Sequence, residues 1–283
     1  AAAVCDNMVP LAIGSQTGGS VLRPASYTGI FGLKPTFGTI SRSGMSAISQ
    51  RLDHPGIYAN TPDDIKLVAS VILSYDSKDL DMDSNYIFKN QAVSNPSPKF
   101  AFIKGPVWSS GDKDMQEEIG NFVANFSMDI EAIDLGNDFK EAAKSHEIIM
   151  NGSISRSLID YYNTDKSKLH QFTVNRIEAG IPVSAKNYID ALENAKKMKQ
   201  TLSNMFKKFD AIITPAAPGQ APRDLMNTGS AIFNGYWTMM GVPAINLPLL
   251  KGKDGLPIGV QVITSWHKEA ELLDISNMIL KQA

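Results

Sequence analysis

Gly-Ser-Gln-Thr-Gly-Gly-Ser occupies residues 14–20, and this loop carries more chemical information than any other stretch of the chain. Its glycine spacing nearly matches a phosphate-binding loop, but Ser20 stands where that loop requires a lysine, which argues against phosphate binding. Consecutive glycines favour a turn with positive φ, in which neighbouring backbone N–H groups point the same way. A serine directly after such a turn is placed to attack a carbonyl carbon while those N–H groups stabilise the oxyanion. The loop therefore predicts a nucleophile at Ser20, with an ordinary glycine-rich turn as the alternative.

A helix is expected to begin at Val21. Pro24 is compatible with this helix, because proline is tolerated in a first helical turn. Ser20 would then lie at the positive end of the helix dipole. A serine nucleophile also requires a general base, and no histidine of the chain carries a local signature of that role. The histidines are His54, His146, His170 and His267. The residues alone therefore leave the base of Ser20 unassigned.

The composition is typical of a soluble globular protein, since 43% of the 283 residues are hydrophobic and 20% are charged. The net charge of −2 gives no positive surface of the kind that attracts nucleic acid or an anionic membrane. The apolar stretch at residues 68–73, which Ser70 interrupts, is too short to cross a bilayer. The single cysteine, Cys5, excludes an internal disulfide and a multi-cysteine metal site. We therefore expect a cytoplasmic protein without a metal ion or cofactor.

Strand and helix patterns alternate along the chain. The predicted strands are 100–103, 130–135, 211–214 and 260–264, and the predicted helices are 61–72, 115–126, 139–162, 184–209 and 267–281. This alternation predicts an α/β fold with a mixed β-sheet core covered by helices on both faces, in a single domain over 1–283. Residues 1–60 are rich in glycine, serine and proline, which indicates surface loops or a functional core of tight turns. The polar residues 74–99 indicate a long surface excursion.

Further motifs lie on both sides of the loop and in the last third of the chain. Residues 10–25 read Pro-Leu-Ala-Ile-Gly-Ser-Gln-Thr-Gly-Gly-Ser-Val-Leu-Arg-Pro-Ala, and residues 29–38 read Gly-Ile-Phe-Gly-Leu-Lys-Pro-Thr-Phe-Gly. Residues 209–215 read Phe-Asp-Ala-Ile-Ile-Thr-Pro, and residues 241–248 read Gly-Val-Pro-Ala-Ile-Asn-Leu-Pro. Together these motifs closely resemble the amidase signature family, the Ser–Ser–Lys amide hydrolases. The resemblance implies the amidase signature fold and hydrolysis of a carboxamide.

By this resemblance Ser20 is the acylated nucleophile, and the N–H groups of Thr17, Gly18, Gly19 and Ser20 form the oxyanion hole. The family's base relay consists of a second serine and a lysine, both upstream of the nucleophile. The resemblance places both before Ala1. It therefore implies an amidase-signature domain that is incomplete at its N-terminus and a 283-residue chain that is inactive by itself.

Two positions depart from the family's usual pattern and are assigned to substrate binding. Gln16 stands where the family often has aspartate, which changes the hydrogen bonding that braces the loop. Arg23 follows the nucleophile by three residues, where two is the common spacing. Its guanidinium is suited to hold a substrate carboxylate in a bidentate pair. The alternative is that Arg23 pairs with a carboxylate of the protein and braces the loop.

Other conspicuous residues are assigned structural roles. Lys34 lies in the family's Gly-Leu-Lys-Pro-Thr turn and is not expected to be catalytic. Cys5 is expected to be a small buried residue, and Asp53 and His54 are expected to form turn or hydrogen-bond contacts. The aromatic and methionine side chains of 233–240 are expected mainly in the core, with a part lining the acyl pocket.

Three functions remain open at this point. The leading one is an amidase that hydrolyses a small carboxamide through a serine acyl-enzyme. The second is the A-type subunit of a tRNA-dependent amidotransferase, which acts on glutamine and needs partner subunits. The third is a non-catalytic truncated relative. The expected partners are a small amide substrate and, as an open point, a second copy of the chain, with no direct contact to nucleic acid or membrane.

Overall fold

Every strand in the described part of the chain belongs to one mixed sheet. The computed structural model describes residues 1–89 and 95–282. Its strands are β1 (Leu11–Gln16), β2 (Phe31–Lys34), β3 (His54–Ala59), β4 (Phe100–Phe102), β5 (Ile130–Ala132), β6 (Ala211–Pro215), β7 (Ala244–Lys251) and β8 (Pro257–Ile263). Across the sheet they follow the order β1-β3-β2-β7-β8-β6-β4-β5. Strand β4 pairs in parallel with β5 and β6, and the other neighbours are antiparallel.

Helices connect the strands and cover the sheet. They are α1 (Ala2–Cys5), α2 (Leu22–Thr28), α3 (Pro62–Ile72), α4 (Lys113–Ala124), α5 (Ala142–Asp165), α6 (Gln171–Gly180), α7 (Ala185–Met205), α8 (Ile232–Met240) and α9 (Glu269–Leu280). The crossover through α4 and the crossover through α5–α7 run in opposite directions along the sheet. Right-handed crossovers of that kind place their helices on opposite faces. The predicted α/β fold with a mixed sheet is confirmed.

The core lies around the middle of the sheet. Every residue of β2, β3 and β6 is buried, as expected for strands covered on both faces. Strand β1 lies at one edge and alternates instead, with Leu11 and Ile13 exposed by 39% and 54%. The sheet therefore buries its centre and leaves one face of the edge strand beside the Ser20 loop open.

The four predicted strands are all present in this one sheet, and the predicted start of α3 is confirmed. The Thr61 side chain accepts a hydrogen bond from the Asp64 N–H at 3.1 Å, as an N-cap does. In residues 1–60, however, the structure has three strands where the sequence indicated loops or tight turns. Strand β3 contains Pro55 and Gly56, which are unfavourable in strands, and its register comes from pairing with β1 and β2.

The segment 74–99 is held against the protein more closely than a surface excursion implies. Arg42 forms salt bridges with Asp79 and Asp81 at 2.8 and 2.7 Å. The Tyr86 hydroxyl donates to Glu269 at 2.7 Å. Residues 90–94 of the segment lie outside the described residues. The single domain expected for 1–283 stays a prediction, and one sheet containing all described strands supports it.

Candidate active site

The loop that carries Ser20 joins an edge strand to a helix. Strand β1 ends at Gln16, and α2 begins at Leu22. Ser20 is exposed, whereas Gly18 and Gly19 before it are buried. The Arg23 N–H donates to the Gly19 carbonyl at 2.9 Å, so the helical turn already encloses the serine. The helix start predicted after Ser20 is therefore confirmed.

Four consecutive backbone N–H groups of this loop have no acceptor in the part of the chain that the structure describes. Within 1–89 and 95–282, the N–H groups of Thr17, Gly18, Gly19 and Ser20 donate to no protein atom. Polar backbone groups left without partners are uncommon in folded proteins and are usually satisfied by water or a ligand. Four adjacent donors next to an exposed hydroxyl form an anion-binding concavity of the kind an oxyanion requires.

Glycine is required at 19 by a close approach, and not by the positive φ expected from the sequence. Neither Gly18 nor Gly19 is among the residues with positive φ. A Cβ added to Gly19 would lie 2.3 Å from the Asn234 Oδ1 and 3.0 Å from the Ala231 Cβ. The start of α8 therefore packs directly against the loop, and only a residue without a side chain fits at position 19.

Gln16 braces the loop through both ends of its amide. Its Oε1 accepts from the N–H groups of Val21 and Leu22 at 2.8 and 3.0 Å, and its Nε2 donates to Thr238 at 2.9 Å. The Thr238 hydroxyl in turn donates to the Gly18 carbonyl at 2.6 Å. Because the Gln16 side chain is fully buried, this geometry favours a bracing role over the substrate contact expected from the sequence.

Thr17 is held from two further sides. Its hydroxyl donates to Asp53 Oδ1 at 2.6 Å, while Asp53 Oδ2 accepts from the N–H groups of Ile48 and Ser49 at 2.8 Å each. The ring of His146, on α5, contacts the Thr17 carbonyl through Nε2 at 3.1 Å. The hydrogen-bond role expected for Asp53 is confirmed. The His146 contact was not predicted, because 129 residues separate the two partners and no local motif marks it.

No described side chain acts as a hydrogen-bonded base for Ser20. The histidine rings instead contact the Leu52 carbonyl (His54, 2.6 Å), the Thr17 carbonyl (His146, 3.1 Å), the Phe172 N–H (His170, 3.2 Å) and, at 3.9 Å, Asp83 (His267). Burial lowers the pKa of both His54 and His146, which keeps these rings neutral. The hydrogen-bond role expected for His54 is confirmed.

Lys34 is fully buried at the end of β2 and faces carbonyl oxygens. Its Nζ donates to the carbonyls of Pro35 and Val242 at 3.0 and 2.5 Å. Burial lowers the pKa of Lys34 to about 7, an effect that nearby Glu269 opposes and nearby Lys199 reinforces. Lys34 is thus committed to joining β2 to the turn after α8, in agreement with a structural role.

Arg23 lies on the first turn of α2, where few nearby groups compensate its positive charge. Its Nη1 donates to the Gly229 carbonyl at a long 3.3 Å, and its buried Nε has no partner among the described residues. In the described chain no carboxylate lies within salt-bridge distance of this guanidinium. Burial lowers the Arg23 pKa, and the nearby Tyr27 and Tyr58 oppose that shift. The protein carboxylate of the bracing alternative is therefore not found among the described residues.

Two secondary expectations have different outcomes. Cys5 is exposed, so its expected burial is wrong. The short helix α1 leaves the thiol at the surface, where it donates to the Thr28 carbonyl at 3.0 Å. The core position expected for the aromatic and methionine cluster is confirmed by the burial of Phe233, Tyr236, Trp237, Met239 and Met240. The part of the cluster assigned to an acyl pocket stays a prediction.

A family model described as Amidase matches residues 1–273. The chain belongs to the amidase family. The match spans the Ser20 loop, α8 and all described strands, so the resemblance drawn from the motifs is confirmed.

Known amidase-family proteins resemble this chain over nearly its whole length. The glutamyl-tRNA(Gln) amidotransferase A subunit of Ehrlichia ruminantium (strain Gardel) is 29% identical over 327 residues, covering 99% of this chain and 65% of the relative. Allophanate hydrolase of Kluyveromyces lactis superposes with a TM-score of 0.88 at 22% identity, covering 99% of this chain and 48% of that one. A crystal structure of an amidase gives a TM-score of 0.85 at 19% identity, covering 99% and 64%. At these identities the structures establish the shared fold, and the chain spans about 65% of the length of its curated relative.

The remaining features of this amidase-family chain concern metals and membranes. Within 1–89 and 95–282, no three His, Cys, Asp or Glu side chains come together in a way that would hold a metal ion. No helix in that described part is both long enough and apolar enough to span a membrane. The roles of the candidate site residues stay predictions, namely those of Ser20, Thr17, Gly18, Gly19, Arg23 and Gln16.

Proposed function

We propose that this chain carries the nucleophile and the oxyanion hole of an amidase that cleaves the C–N bond of a small carboxamide through a serine acyl-enzyme. The observation that carries the proposal is the row of N–H groups at residues 17–20, which have no acceptor in the described chain and lie next to the exposed hydroxyl of Ser20. Donors in such a row are preorganised for a negatively charged oxygen, because the folded protein has already fixed their direction.

The reaction begins when the Ser20 Oγ attacks the amide carbon and its proton passes to a base. The carbonyl oxygen gains negative charge and accepts hydrogen bonds from the N–H groups of Thr17, Gly18, Gly19 and Ser20. Collapse of the tetrahedral intermediate breaks the C–N bond, and the leaving nitrogen takes up a proton. Water then hydrolyses the Ser20 ester, which releases the carboxylic acid and restores the hydroxyl.

The proton acceptor is the part of this mechanism that the described residues do not supply. General-base catalysis contributes roughly 10²–10⁴ in rate, so a serine without a base is a poor nucleophile at neutral pH. The family resemblance implies an upstream serine and lysine for this role. Inactivity of residues 1–283 alone therefore remains a prediction.

The substrate class is proposed from Arg23. A guanidinium beside the nucleophile, with no carboxylate partner in the described chain, is suited to a substrate carboxylate. We therefore expect the preferred substrate to be a small amide that also bears a free carboxylate, such as a dicarboxylic acid monoamide.

Ammonia release by the full-length protein tests the nucleophile, with succinamate, propionamide and glutamine as substrates. Ser20→Ala is expected to lower the rate by about 10⁴-fold or more, as loss of a catalytic serine does. Ser15→Ala is the matched control, because Ser15 is an exposed serine five residues earlier in the same segment. A rapidly quenched reaction should also show the acyl group on the peptide that contains Ser20. Undiminished hydrolysis by Ser20→Ala would rule out the proposed mechanism, and absence of hydrolysis by the unmodified protein would favour the non-catalytic alternative.

A second candidate is the A-type subunit of a tRNA-dependent amidotransferase. It is favoured by the similarity to the Ehrlichia ruminantium protein of that name, 29% identical over 99% of this chain. Glutamine also fits the proposed site, because it combines a carboxamide with a free carboxylate. In this case Ser20 and its loop perform the same acyl chemistry, and the released ammonia serves a partner subunit.

The two candidates differ in their dependence on a partner. An amidase should hydrolyse amides at full rate as the purified full-length protein. An amidotransferase subunit should hydrolyse glutamine slowly alone and faster when purified with the subunits that its host co-expresses. Succinamate turnover that is fast and unaffected by co-purified proteins would exclude the second candidate.

A further inference from the structure

A crevice whose lining does not include the Ser20 loop lies at the carboxyl ends of two parallel strands. Strands β4 and β5 occupy the opposite edge of the sheet from β1. Chain segments 103–108 and 133–140 leave the carboxyl ends of β4 and β5 and enclose a cavity of about 720 Å³. Pockets that hold small ligands are typically about 300–1,000 Å³, so this one is large enough for a small organic molecule.

The strand order explains why a crevice forms here. From β4 the chain crosses through α4 to β5, at the edge, and from β5 it crosses back through α5–α7 to β6, on the other side of β4. Two right-handed crossovers in opposite directions leave toward opposite faces of the sheet. The segments after β4 and β5 therefore separate, and open α/β sheets bind ligands in crevices of this kind.

The crevice has an apolar floor. Phe102, Leu135 and Phe139 are buried beneath it, and the partly buried Trp108 lines its wall. The rings of Phe102 and Trp108 meet edge to face, with centroids 6.1 Å apart. A flat apolar group would find several aromatic contacts here, since aromatic pairs favour such arrangements.

The rim of the crevice carries an excess of positive charge. Lys104 and Lys140 are exposed on its two sides, and the Lys104 ammonium lies 5.2 Å from the centre of the Trp108 ring. In the described chain neither lysine has a carboxylate within 4 Å. Asp134, the acid in the lining, accepts the Gly136 N–H at 2.9 Å. The lysines are therefore available to an anionic ligand group.

We propose that this crevice binds a small organic anion with an aromatic body. Its ring would lie against the apolar floor and Trp108, and its carboxylate or phosphate would pair with Lys104 and Lys140. Both anionic groups suit two ammonium donors, so the chemical class is an aromatic carboxylate or aromatic phosphate. The site is separate from the Ser20 loop and does not depend on the proposed amidase activity.

Titration calorimetry on the full-length protein tests the proposal with four probes, namely benzoate, phenyl phosphate, benzyl alcohol and inorganic phosphate. At least one aromatic anion is expected to bind with a Kd of about 1 mM or tighter. Benzyl alcohol lacks the charge and inorganic phosphate lacks the ring, so each should bind at least about tenfold more weakly. The stronger of the two aromatic anions shows which group the lysines prefer.

Variants identify the place of binding. Lys104→Gln combined with Lys140→Gln should weaken binding about tenfold or more, whereas the exposed control pair Lys78→Gln and Lys251→Gln should leave it unchanged. Trp108→Ala should weaken it too, with melting temperatures showing that each variant remains folded. Binding unaffected by the lysine pair, equal binding of benzyl alcohol or of inorganic phosphate, or no binding of either aromatic anion would overturn the proposal.

Discussion

The Ser20 loop and the Lys34 site both contain a residue type that catalyses amide hydrolysis, yet their surroundings are opposite. Around Ser20 the hydroxyl is exposed and four backbone N–H groups have no acceptor in the described chain. Around Lys34 the ammonium is fully buried and donates to two backbone carbonyls. The loop has donors left over for a ligand, whereas the lysine's donors are used inside the protein.

Under the proposed mechanism, this difference indicates which observations separate a reactive group from a structural one. A lowered pKa alone would select Lys34, because burial brings it to about 7. Access and unused hydrogen-bonding capacity select Ser20 instead. Substitutions at the two places should therefore change different properties, catalysis at the loop and pH-dependent stability at the lysine.

The largest expected effect of a conservative change is that of Gly19→Ala on catalysis. The new Cβ would lie 2.3 Å from Asn234 Oδ1, and Asn234 is held in place by bonds to Ala216 and Gln261 at 3.0 Å each. The loop has to move, which takes its N–H groups away from the oxyanion. Loss of oxyanion stabilisation costs about 10²–10³ in kcat, so kcat/KM for succinamate should fall by that amount.

Gly120→Ala is the matched control, since a methyl added to this helical glycine meets nothing within 4 Å. It should leave kcat/KM unchanged and raise the melting temperature slightly, because alanine is the better helix former. Full activity of Gly19→Ala would mean that the loop N–H groups do not hold the oxyanion.

The second prediction concerns the pH dependence of unfolding. The Lys34 pKa is about 7 in the folded protein and has its ordinary value in the unfolded chain. At a pH between these two pKa values the unfolded chain therefore binds more protons than the folded protein. Stability therefore rises with pH above 7 as the buried lysine loses its charge. From pH 7 to pH 9 the free energy of unfolding should gain about 2 kcal/mol from this residue.

Urea denaturation of the unmodified protein and of Lys34→Met at pH 7, 8 and 9 measures this contribution. The gain should disappear in Lys34→Met and persist in the exposed control Lys78→Met. Parallel pH profiles for the unmodified protein and Lys34→Met would show that Lys34 does not titrate in this range. An unaltered kcat at pH 9 in folded Lys34→Met is also expected, in contrast to the Gly19 variant.

Local sequence was sufficient to predict that a helix follows the Ser20 loop and that β4, β5, β6 and β8 are strands, whereas β1, β2, β3 and β7 were not predicted. The helix that follows the loop was predictable because it depends on neighbouring residues, whereas the positive φ expected of the consecutive glycines is absent. The nucleophile stays a prediction. Local sequence did not predict why Gly19 is glycine. That requirement comes from Asn234, which is distant in sequence and reaches the loop only when α8 packs against it.

Other features depend on pairing between distant segments, and local sequence contains little sign of them. Strand β3 contains Pro55 and Gly56, and its identity as a strand depends on its neighbours β1 and β2. The crevice at β4 and β5 follows from strand order, which no motif in 75–205 indicates. The Gln16 brace and the Thr17–His146 contact also join segments that only the fold brings together.

The smallest effect, and the most selective, is expected at Arg23. If its guanidinium binds a substrate carboxylate, Arg23→Ala should raise KM for succinamate about tenfold and leave KM for propionamide nearly unchanged. Arg23→Lys keeps the charge but loses the planar pair of donors, so its KM for succinamate should lie between that of the unmodified protein and that of Arg23→Ala. The bond to the Gly229 carbonyl is long, at 3.3 Å, so its loss should have little effect on the loop. An equal loss on both substrates, accompanied by a lower melting temperature, would instead assign Arg23 to bracing the loop, together with Gln16.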